Sequence, residues 1–291
     1  MIKKRTFEEN LVLAKARTGT AKTKIKAPAA KQLTLPLWPE EVRGVPNAVL
    51  RGALFTVSQG REHFQELTPI AAVDGIEISV QNARLNQYDL DLFEMLLHLQ
   101  RLQPLGERVE FTAHALLKFL GRGTGGKDHK ALLNDMARLM GSIVHIRWTA
   151  ERKAFMGSLV ERAYIDEDTD RWVIEFSRDL MTLYSQGHTW IDWDQRQLLG
   201  RNNIAKWSHG FYAGHAVPYA YKVETLRDLC GSTAVLREFR RVLRRALNEL
   251  VSIGAITSWE IDAGDLVQVK RTPSKSQQKH LAKAKVIHKK G

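Results

Sequence analysis

The chain has 291 residues, a net charge of +12 and a single cysteine. At about 100–200 residues per domain, this length predicts two domains. A lone cysteine excludes a disulfide framework and a cysteine-rich zinc site. No apolar run reaches the ~18 residues that a membrane-spanning helix needs, and no apolar stretch follows the first charges as in a secretory signal. We therefore expect a cytoplasmic bacterial protein that has no membrane partner.

The positive charge is concentrated at the two ends of the chain. Residues 1–31 contain nine basic and two acidic residues, and residues 270–291 contain eight basic residues and no acidic ones. The body between them carries a net charge of −3. Basic tails on a nearly neutral body favour a polyanionic partner, usually nucleic acid. Solubilising, disordered ends are the alternative.

The body divides into two halves that repeat one order of elements. Apolar spacing and turn residues predict the following in the first half: a strand at 75–80, a helix at 88–101, a strand at 109–111, helices at 113–120 and 127–140, and strands at 143–149, 155–165 and 171–176. The second half is predicted to contain helices at 195–210, 222–229 and 233–253 and a hairpin of strands at 256–261 and 266–270.

Helix, short helix, turn, helix and hairpin is the order of a winged helix, and its repetition supports the assignment. The sequence predicts an α+β fold of two tandem winged-helix domains with basic disordered tails. The predicted divisions are a flexible N-terminal segment (1–44), the first domain (45–190), the second domain (191–270) and a C-terminal tail (271–291).

The helix predicted over 233–253 has two contrasting faces. Its apolar stripe consists of Leu236, Phe239, Val242, Leu243, Leu247 and Leu250. The opposite face carries Arg237, Arg240, Arg241, Arg244 and Arg245. Five arginines so close together repel one another, and arginine can bind guanine through two hydrogen bonds. This pattern predicts a DNA-recognition helix; a solvated basic face paired with acids elsewhere is the alternative.

The arginines nearest the start of that helix are expected to enter the major groove together with Ser232 and Thr233. Arg244 and Arg245 are expected to hold phosphates, which position a protein without specifying sequence. The helix predicted over 127–140 has a similar but weaker pattern. Its predicted DNA-facing residues are Lys127, Lys130, Asn134 and Arg138, while Leu132, Leu133, Met136, Leu139 and Met140 are predicted to turn inward.

The sequence offers no credible catalytic or metal site. The stretch Gly121–Asp128 nearly matches a phosphate-binding loop, but Asp128 replaces the hydroxyl residue and a helix is predicted where a strand should precede the loop. We interpret the glycines as the turn of a helix-turn-helix. His188, His209 and His215 match no metal-ligand spacing, so we expect neither a metal, a cofactor nor an enzymatic activity.

Two stretches of the sequence are long and unusual. One runs from Trp38 to Asn47 (WPEEVRGVPN) and continues at Arg51–Thr56 (RGALFT). The other comprises His215–Tyr219 (HAVPY) and Lys222–Ser232 (KVETLRDLCGS). Both stretches resemble the TrfA-type plasmid replication initiators and, more distantly, the RepC initiators of mobilisable broad-host-range plasmids. The resemblance covers roughly residues 31–270.

This resemblance implies a set of partners. Such initiators bind repeated origin sequences (iterons) on double-stranded DNA, help to melt an adjacent AT-rich segment and recruit the host replicative helicase. They act largely as monomers, while a self-dimer limits copy number. They also contact the host sliding clamp through a short peptide.

The segment that is similar to the clamp-binding peptide comprises Gln32, Leu33, Thr34, Leu35, Pro36 and Leu37. A disordered segment can bury such leucines in an apolar pocket. The family often ends this peptide with an aromatic residue, which Pro36-Leu37 lacks. A winged-helix transcriptional repressor, which would bind an operator as a dimer, is the alternative function, and it has no need for this peptide.

Overall fold

The computed structural model describes residues 34–60, 62–169, 171–274 and 277–278. Helices and short strands alternate along this part of the chain. In chain order, they are β1 (Val42–Pro46), α1 (Asn47–Leu50), β2 (Phe55–Thr56), β3 (His63–Ile70), β4 (Ile76–Ala83), β5 (Leu85–Asn86), α2 (Gln87–Gln100), β6 (Val109–Phe111), α3 (Ala113–Phe119), α4 (Gly126–Gly141), β7 (Ile143–Trp148), β8 (Lys153–Gly157), β9 (Arg162–Asp166), β10 (Arg171–Glu175), α5 (Met181–Tyr184), β11 (His188–Asp192), α6 (Trp193–Leu198), α7 (Asn203–Ala213), β12 (Tyr221–Lys222), α8 (Val223–Leu229), α9 (Leu236–Ser252), β13 (Ser258–Ile261) and β14 (Leu266–Lys270).

Two three-stranded sheets give the two halves the same topology. In the first half, α2, β6, α3 and α4 precede the hairpin β9–β10, and the sheet has the order β6-β10-β9. In the second half, α7, β12, α8 and α9 precede the hairpin β13–β14, and the order is β12-β14-β13. In both, the strand between the first two helices pairs with the last strand of the hairpin. The mixed α and β content that the sequence predicts is therefore present.

The first half has an additional antiparallel sheet with the order β3-β4-β7-β8. Its strands β7 and β8 are inserted between α4 and the hairpin β9–β10. A single strand was predicted at 155–165, and this prediction is wrong. The chain turns between β8 and β9, where Leu159 and Val160 are buried. Strand β3 was not predicted.

Side-chain caps explain where several helices begin. Asn86 and Asp89 form a capping box at the start of α2. The hydroxyl of Thr112 accepts a hydrogen bond from the backbone N–H of Ala115 at 3.2 Å and so caps α3. Asn202 caps α7 in the same way. The predicted helix at 195–210 is two helices, since Gly200 adopts a φ of +52° between α6 and α7.

Two hydrophobic cores underlie the repeated topology. The first contains buried residues between Leu35 and Trp193, including most of α2. The second contains buried residues of 199–269, together with Val57 from the first half. All the described residues belong to one compact unit. The division into domains at 45–190 and 191–270 stays a prediction.

A buried ionic cluster, formed by Arg196, Asp91, Glu94 and Lys206, connects α2 with α6 and α7. The fully buried Arg196 Nε lies 2.7 Å from Asp91 Oδ1 and 3.1 Å from Glu94 Oε2. Lys206 Nζ lies 2.6 Å from Asp91 Oδ2. Burial raises the pKa of Glu94 to about 7, although Arg196 opposes this shift. The cluster satisfies charges that would otherwise be costly inside the protein.

Residues 34–44 were predicted to belong to a flexible N-terminal segment, but they are ordered in the structure. Leu35 and Trp38 are buried in the first core, and β1 pairs antiparallel with β11. The Trp38 indole N–H donates to His98 Nδ1 at 3.0 Å, and Glu40 bridges His98 and Arg101. Burial of these apolar side chains favours order from residue 34 onward. Residues 1–33 lie outside the described part of the chain.

Residue 271, the predicted first residue of the C-terminal tail, contacts the body of the protein. The Arg271 guanidinium donates to the His215 carbonyl at 2.9 Å and to Gln277 Oε1 at 2.9 Å. The Gln277 side-chain amide donates to the Ala213 carbonyl at 2.9 Å. These contacts satisfy carbonyls at the end of α7, where a cation is also favoured by the helix dipole. Residues 275–276 and 279–291 lie outside the described residues.

Candidate nucleic-acid interface

Helix α9 has the two faces that the sequence predicts. Phe239, Leu243, Leu247 and Leu250 are fully buried in the second core. Arg237, Arg241, Arg244 and Arg245 are exposed on the other side. The apolar face fixes the helix on its core, so the arginines project from a rigid element. Such an arrangement suits contact with a polyanion.

The arginines of α9 differ in their ion pairing. Within the described residues, no carboxylate pairs with Arg237, Arg244 or Arg245. Arg241 pairs with Glu238 in the same helix at an exposed position. Such surface pairs contribute little to stability, so Arg241 can exchange this partner for a phosphate or a base.

Arg240 has a structural partner, Asp265, that could not be predicted from the sequence. Its Nε donates to Asp265 Oδ1 at 3.0 Å, and its Nη2 also contacts that carboxylate. Asp265 adopts a φ of +66° in the β13–β14 turn, where Asp262 accepts from the N–H groups of Gly264 and Leu266. Arg240 therefore attaches the hairpin turn to α9. A DNA contact by Arg240 would compete with this pair.

Ser232 and Thr233 precede α9 and do not belong to it. The predicted helix start at Thr233 is wrong by three residues, since α9 begins at Leu236 with Val235 as its N-cap. Thr233 is exposed, and the Ser232 hydroxyl accepts from the Ala234 N–H at 3.4 Å. In the described residues, no side chain caps the start of α9, so its first N–H groups are available to an anion.

Helix α4 presents three of its four predicted DNA-facing residues. Lys127, Lys130 and Asn134 are exposed, while Leu132, Met136 and Leu139 are buried. Leu133 was predicted to turn inward but is 51% exposed, because its position falls at the edge of the apolar stripe. The exposed polar face of α4 is available to nucleic acid.

Arg138 is the exception on α4, because it is held in a buried ion pair. Its Nη2 lies 2.7 Å from Asp89 Oδ1, and its Nε lies 3.0 Å from the same atom. It also contacts Asp135, which pairs in turn with Arg122. Burial raises the pKa of the Asp89 carboxyl to about 6, and Arg138 opposes this shift. The arrangement packs Arg138 between α2 and α4, so the predicted DNA contact would compete with the Asp89 pair and stays a prediction.

The two halves meet at a joint formed by Thr56, Arg84 and Gly231. The Thr56 hydroxyl donates to the Gly231 carbonyl at 2.8 Å, and the Val57 N–H donates to the Cys230 carbonyl at 3.0 Å. Gly231 adopts a φ of +67° in the turn between α8 and α9. A Cβ at this glycine would lie 2.5 Å from both Thr56 Oγ1 and Arg84 Nη2. The joint therefore fixes the start of α9 against β2, and sequence reasoning missed Thr56 and Arg84.

Replacing Gly231 by alanine should lower stability and weaken DNA binding. The positive φ alone costs roughly 1–2 kcal/mol, and the added Cβ also forces the joint apart. Gly254→Ala is the matched control, because Gly254 has a φ of +73° and no atom within 4 Å of an added Cβ. Urea unfolding and DNA titration of both variants would separate the two effects. Equal losses of stability and affinity in the two variants would contradict a role for the joint.

The glycine-rich stretch 121–126 forms a turn between two helices. Gly121 has a φ of +65° after α3, and the Asp128 carboxylate accepts from the Gly125 N–H at 3.2 Å. A phosphate-binding loop instead follows a strand and has a hydroxyl residue at that position. The geometry agrees with the predicted helix-turn-helix turn. Among the described residues, no His, Cys, Asp or Glu side chains are grouped as a metal site requires.

The segment that is similar to a clamp-binding peptide is partly attached to the body. Leu35 is 2% exposed in the first core, whereas Leu37 is 72% exposed. Thr34 forms a β-bridge with Pro104, and Pro36 is half-buried. Gln32 and Leu33 lie outside the described residues. Leu35 therefore serves the fold, and among the described residues of this segment Leu37 is the leucine that is exposed.

Comparison with known proteins shows that this chain is similar to a plasmid replication initiator. A family model described as the TrfA protein matches residues 5–271, so the chain belongs to the TrfA family. This match confirms the resemblance that the sequence motifs indicate. In addition, within the described residues no helix is both long and apolar enough to cross a bilayer.

One curated relative is the plasmid replication initiator protein TrfA of Escherichia coli, which is 26% identical over 246 residues. The alignment covers 80% of this chain and 63% of the relative, so the chain spans less than two thirds of that protein. Two crystal structures of domains 2 and 3 of RctB are also similar. They have TM-scores of 0.47 and 0.49 at 10% and 11% identity, and the alignments cover 71% and 76% of this chain and 86% and 94% of theirs.

Proposed function

We propose that this chain initiates plasmid replication by binding repeated origin sequences on double-stranded DNA through two winged-helix units. The arginine face of α9 carries the proposal. In the described part of the chain, three of its arginines have no carboxylate partner, and the opposite face of the helix is buried. An unneutralised basic face on a rigid helix is costly unless an anion binds to it.

The repeated topology supports two DNA-binding units instead of one. Each half has a helix, a strand, two helices joined by a turn and a hairpin in the same sheet order. In a winged helix, the second helix of the pair lies in the major groove. By this rule α9 and α4 are the recognition helices. Arg237 and Arg241 would contact bases, while Arg244, Arg245, Lys127 and Lys130 would contact phosphates.

Further partners follow from membership of the family. We propose that the DNA-bound chain opens an adjacent segment of the origin, recruits the host replicative helicase and contacts the host sliding clamp, and that a self-dimer limits copy number. We propose no catalytic step and no cofactor for this chain. The exposed Leu37 supports the clamp contact, because an apolar side chain in an extended segment can enter a partner's pocket.

Replacing Leu37 by alanine should weaken binding to the sliding clamp and leave stability and DNA binding unchanged. Leu35→Ala should instead destabilise the protein by about 2–5 kcal/mol, because it removes a buried leucine from the core. Clamp capture on a biosensor, together with urea unfolding of each variant, would check both results. If Leu37→Ala binds the clamp as tightly as the wild type, this segment is not the clamp contact.

Footprinting on the replicon that encodes this chain tests the proposed function. Protection of evenly spaced direct repeats, near one per ~22 bp or two helical turns, would support an origin-binding initiator. Protection of a single palindrome beside a promoter would replace this proposal with a transcriptional repressor. A salt series belongs in the experiment, since phosphate contacts make binding weaker as salt rises.

A further inference from the structure

Strand β9 lies at the edge of the first three-stranded sheet and has an apolar centre. The sheet order β6-β10-β9 leaves one side of β9 without a partner strand among the described residues. Tyr164 is 46% exposed and Ile165 is 45% exposed. Proteins usually protect such edges, because free N–H and C=O groups pair readily with another strand.

An apolar groove of about 380 Å³ runs beside this edge. Its floor is formed by α4 and by the strands β9 and β10, including Leu133, Ala137, Met140 and Trp172. Leu133 is 51% exposed at the lip of the groove. Leu133 is therefore not buried in the core, and it extends the exposed apolar surface of β9.

The charges of β9 make the strand complementary to itself. Antiparallel pairing of two copies about a twofold axis at Tyr164 puts Arg162 opposite Asp166 of the second copy, on both sides of the axis. Ala163 then lies opposite Ile165 of the second copy on the groove side, and the two Tyr164 residues meet on the other face. Arg162 is exposed, and in the described structure neither Arg162 nor Asp166 has an ion-pair partner.

Strand β8 is also an edge strand, but its charges are not complementary when it is paired with itself. Strand β8 ends the four-stranded sheet and exposes Met156 by 64%. Pairing β8 with itself about Phe155 would put Lys153 opposite Gly157, with no opposite charge. Both β8 and β9 thus expose an apolar residue at a sheet edge. Of these two strands, β9 has opposite charges that would face each other in a self-paired dimer.

We propose that β9 and the adjoining groove form the surface through which two copies of this chain associate, with the two β9 strands pairing antiparallel about Tyr164. The occupant of the groove is Ile165 of the second copy. A short strand and one groove bury less surface than obligate dimers do, so the dimer is weak and reversible. The inference gives a surface to the self-association in the proposed function, and it does not depend on DNA binding.

Sedimentation of the full chain over a concentration series, without DNA, tests the proposal. The wild type should dimerise reversibly. Arg162→Asp and Asp166→Arg should each weaken the dimer roughly tenfold or more, because each puts like charges at both ends of the pair. The double variant should regain wild-type dimerisation, and an equimolar mixture of the two single variants should form a heterodimer.

Met156→Lys is the matched control, since it puts a charge on the exposed residue of the other edge strand and should leave dimerisation unchanged. Circular dichroism would verify that each variant is folded. A wild type that stays monomeric at all concentrations would overturn the proposal. So would single variants that dimerise normally, or a double variant that does not recover. Sedimentation measures the mass of the protein without DNA. The result therefore tests dimerisation even if the chain does not bind DNA.

Discussion

Replacing Arg237 and Arg241 together by alanine should weaken binding to the origin repeats by roughly 10²–10⁴-fold, from the usual contribution of two arginine–guanine contacts. Arg237 has no ion-pair partner in the described residues, and Arg241 has only the exposed Glu238. Neither side chain packs in the core, so the fold should be unaffected. Anisotropy titrations on a repeat duplex and on a scrambled duplex would measure the change, which should be larger on the repeat.

Arg147→Ala is the matched control for this variant. Arg147 is 51% exposed and pairs with Glu77, much as Arg241 is 52% exposed and pairs with Glu238. It lies on β7 of the four-stranded sheet, so its loss should leave affinity for the repeat unchanged. Replacing Arg244 or Arg245 by alanine should instead weaken binding to both duplexes equally. Each replacement should also reduce the slope of log affinity against log salt concentration by about one. An equal loss of affinity in Arg147→Ala and in the variant that lacks both Arg237 and Arg241 would mean that α9 is not the recognition helix.

Replacing Arg196 by methionine should destabilise the protein by about 3–5 kcal/mol, the usual cost of leaving buried charge unpaired. Arg196 is fully buried and contacts both Asp91 and Glu94, and Lys206 is the remaining cation of the cluster. Urea unfolding monitored by circular dichroism would measure the loss. An unchanged transition midpoint would show that the cluster contributes nothing to stability.

The loss caused by Arg196→Met should be smaller at pH 5 than at pH 8. Burial raises the pKa of Glu94 to about 7 in the folded protein, so the folded state binds a proton more tightly than the unfolded state. The contribution of Glu94 to the free energy of unfolding therefore decreases as the pH rises from the pKa of Glu94 in the unfolded chain through about 7. Glu94→Gln removes the charge while keeping the size of the side chain, and combined with Arg196→Met it should restore part of the stability at pH 8.

Helices with a clear apolar stripe and a defined start could be predicted from the sequence. Helices α3 and α4 lie within a residue or two of their predictions, because Thr112 caps one and the glycine turn precedes the other. The exposed arginine face of α9 was predicted from the apolar stripe alone, since the start of this helix has no side-chain cap and was predicted wrongly. In these elements the local pattern and the tertiary packing favour the same structure.

Features that depend on distant residues could not be predicted. Arg138 has the sequence pattern of a DNA-facing residue, but its partner Asp89 is 49 positions away on α2. Arg240 is similarly occupied by Asp265 of the hairpin turn. The order of residues 34–44 depends on β11 and on His98, which the local Pro-containing sequence does not reveal. A charged side chain on a helix face is therefore a weak guide to function until its neighbours are known.

The joint at Gly231 has a consequence for the length of the DNA site. Hydrogen bonds from Thr56 and Val57, together with the buried cluster around Arg196, join the two halves without a free linker. Under the proposed function, two recognition helices joined in this way would contact DNA segments at a fixed separation. Inserting about 5 bp between the two contacted segments would turn one of them to the opposite face of the DNA, since a helical turn takes ~10–10.5 bp. We therefore expect the rigid connection between the two halves to set the spacing of the two contacted segments within each repeat.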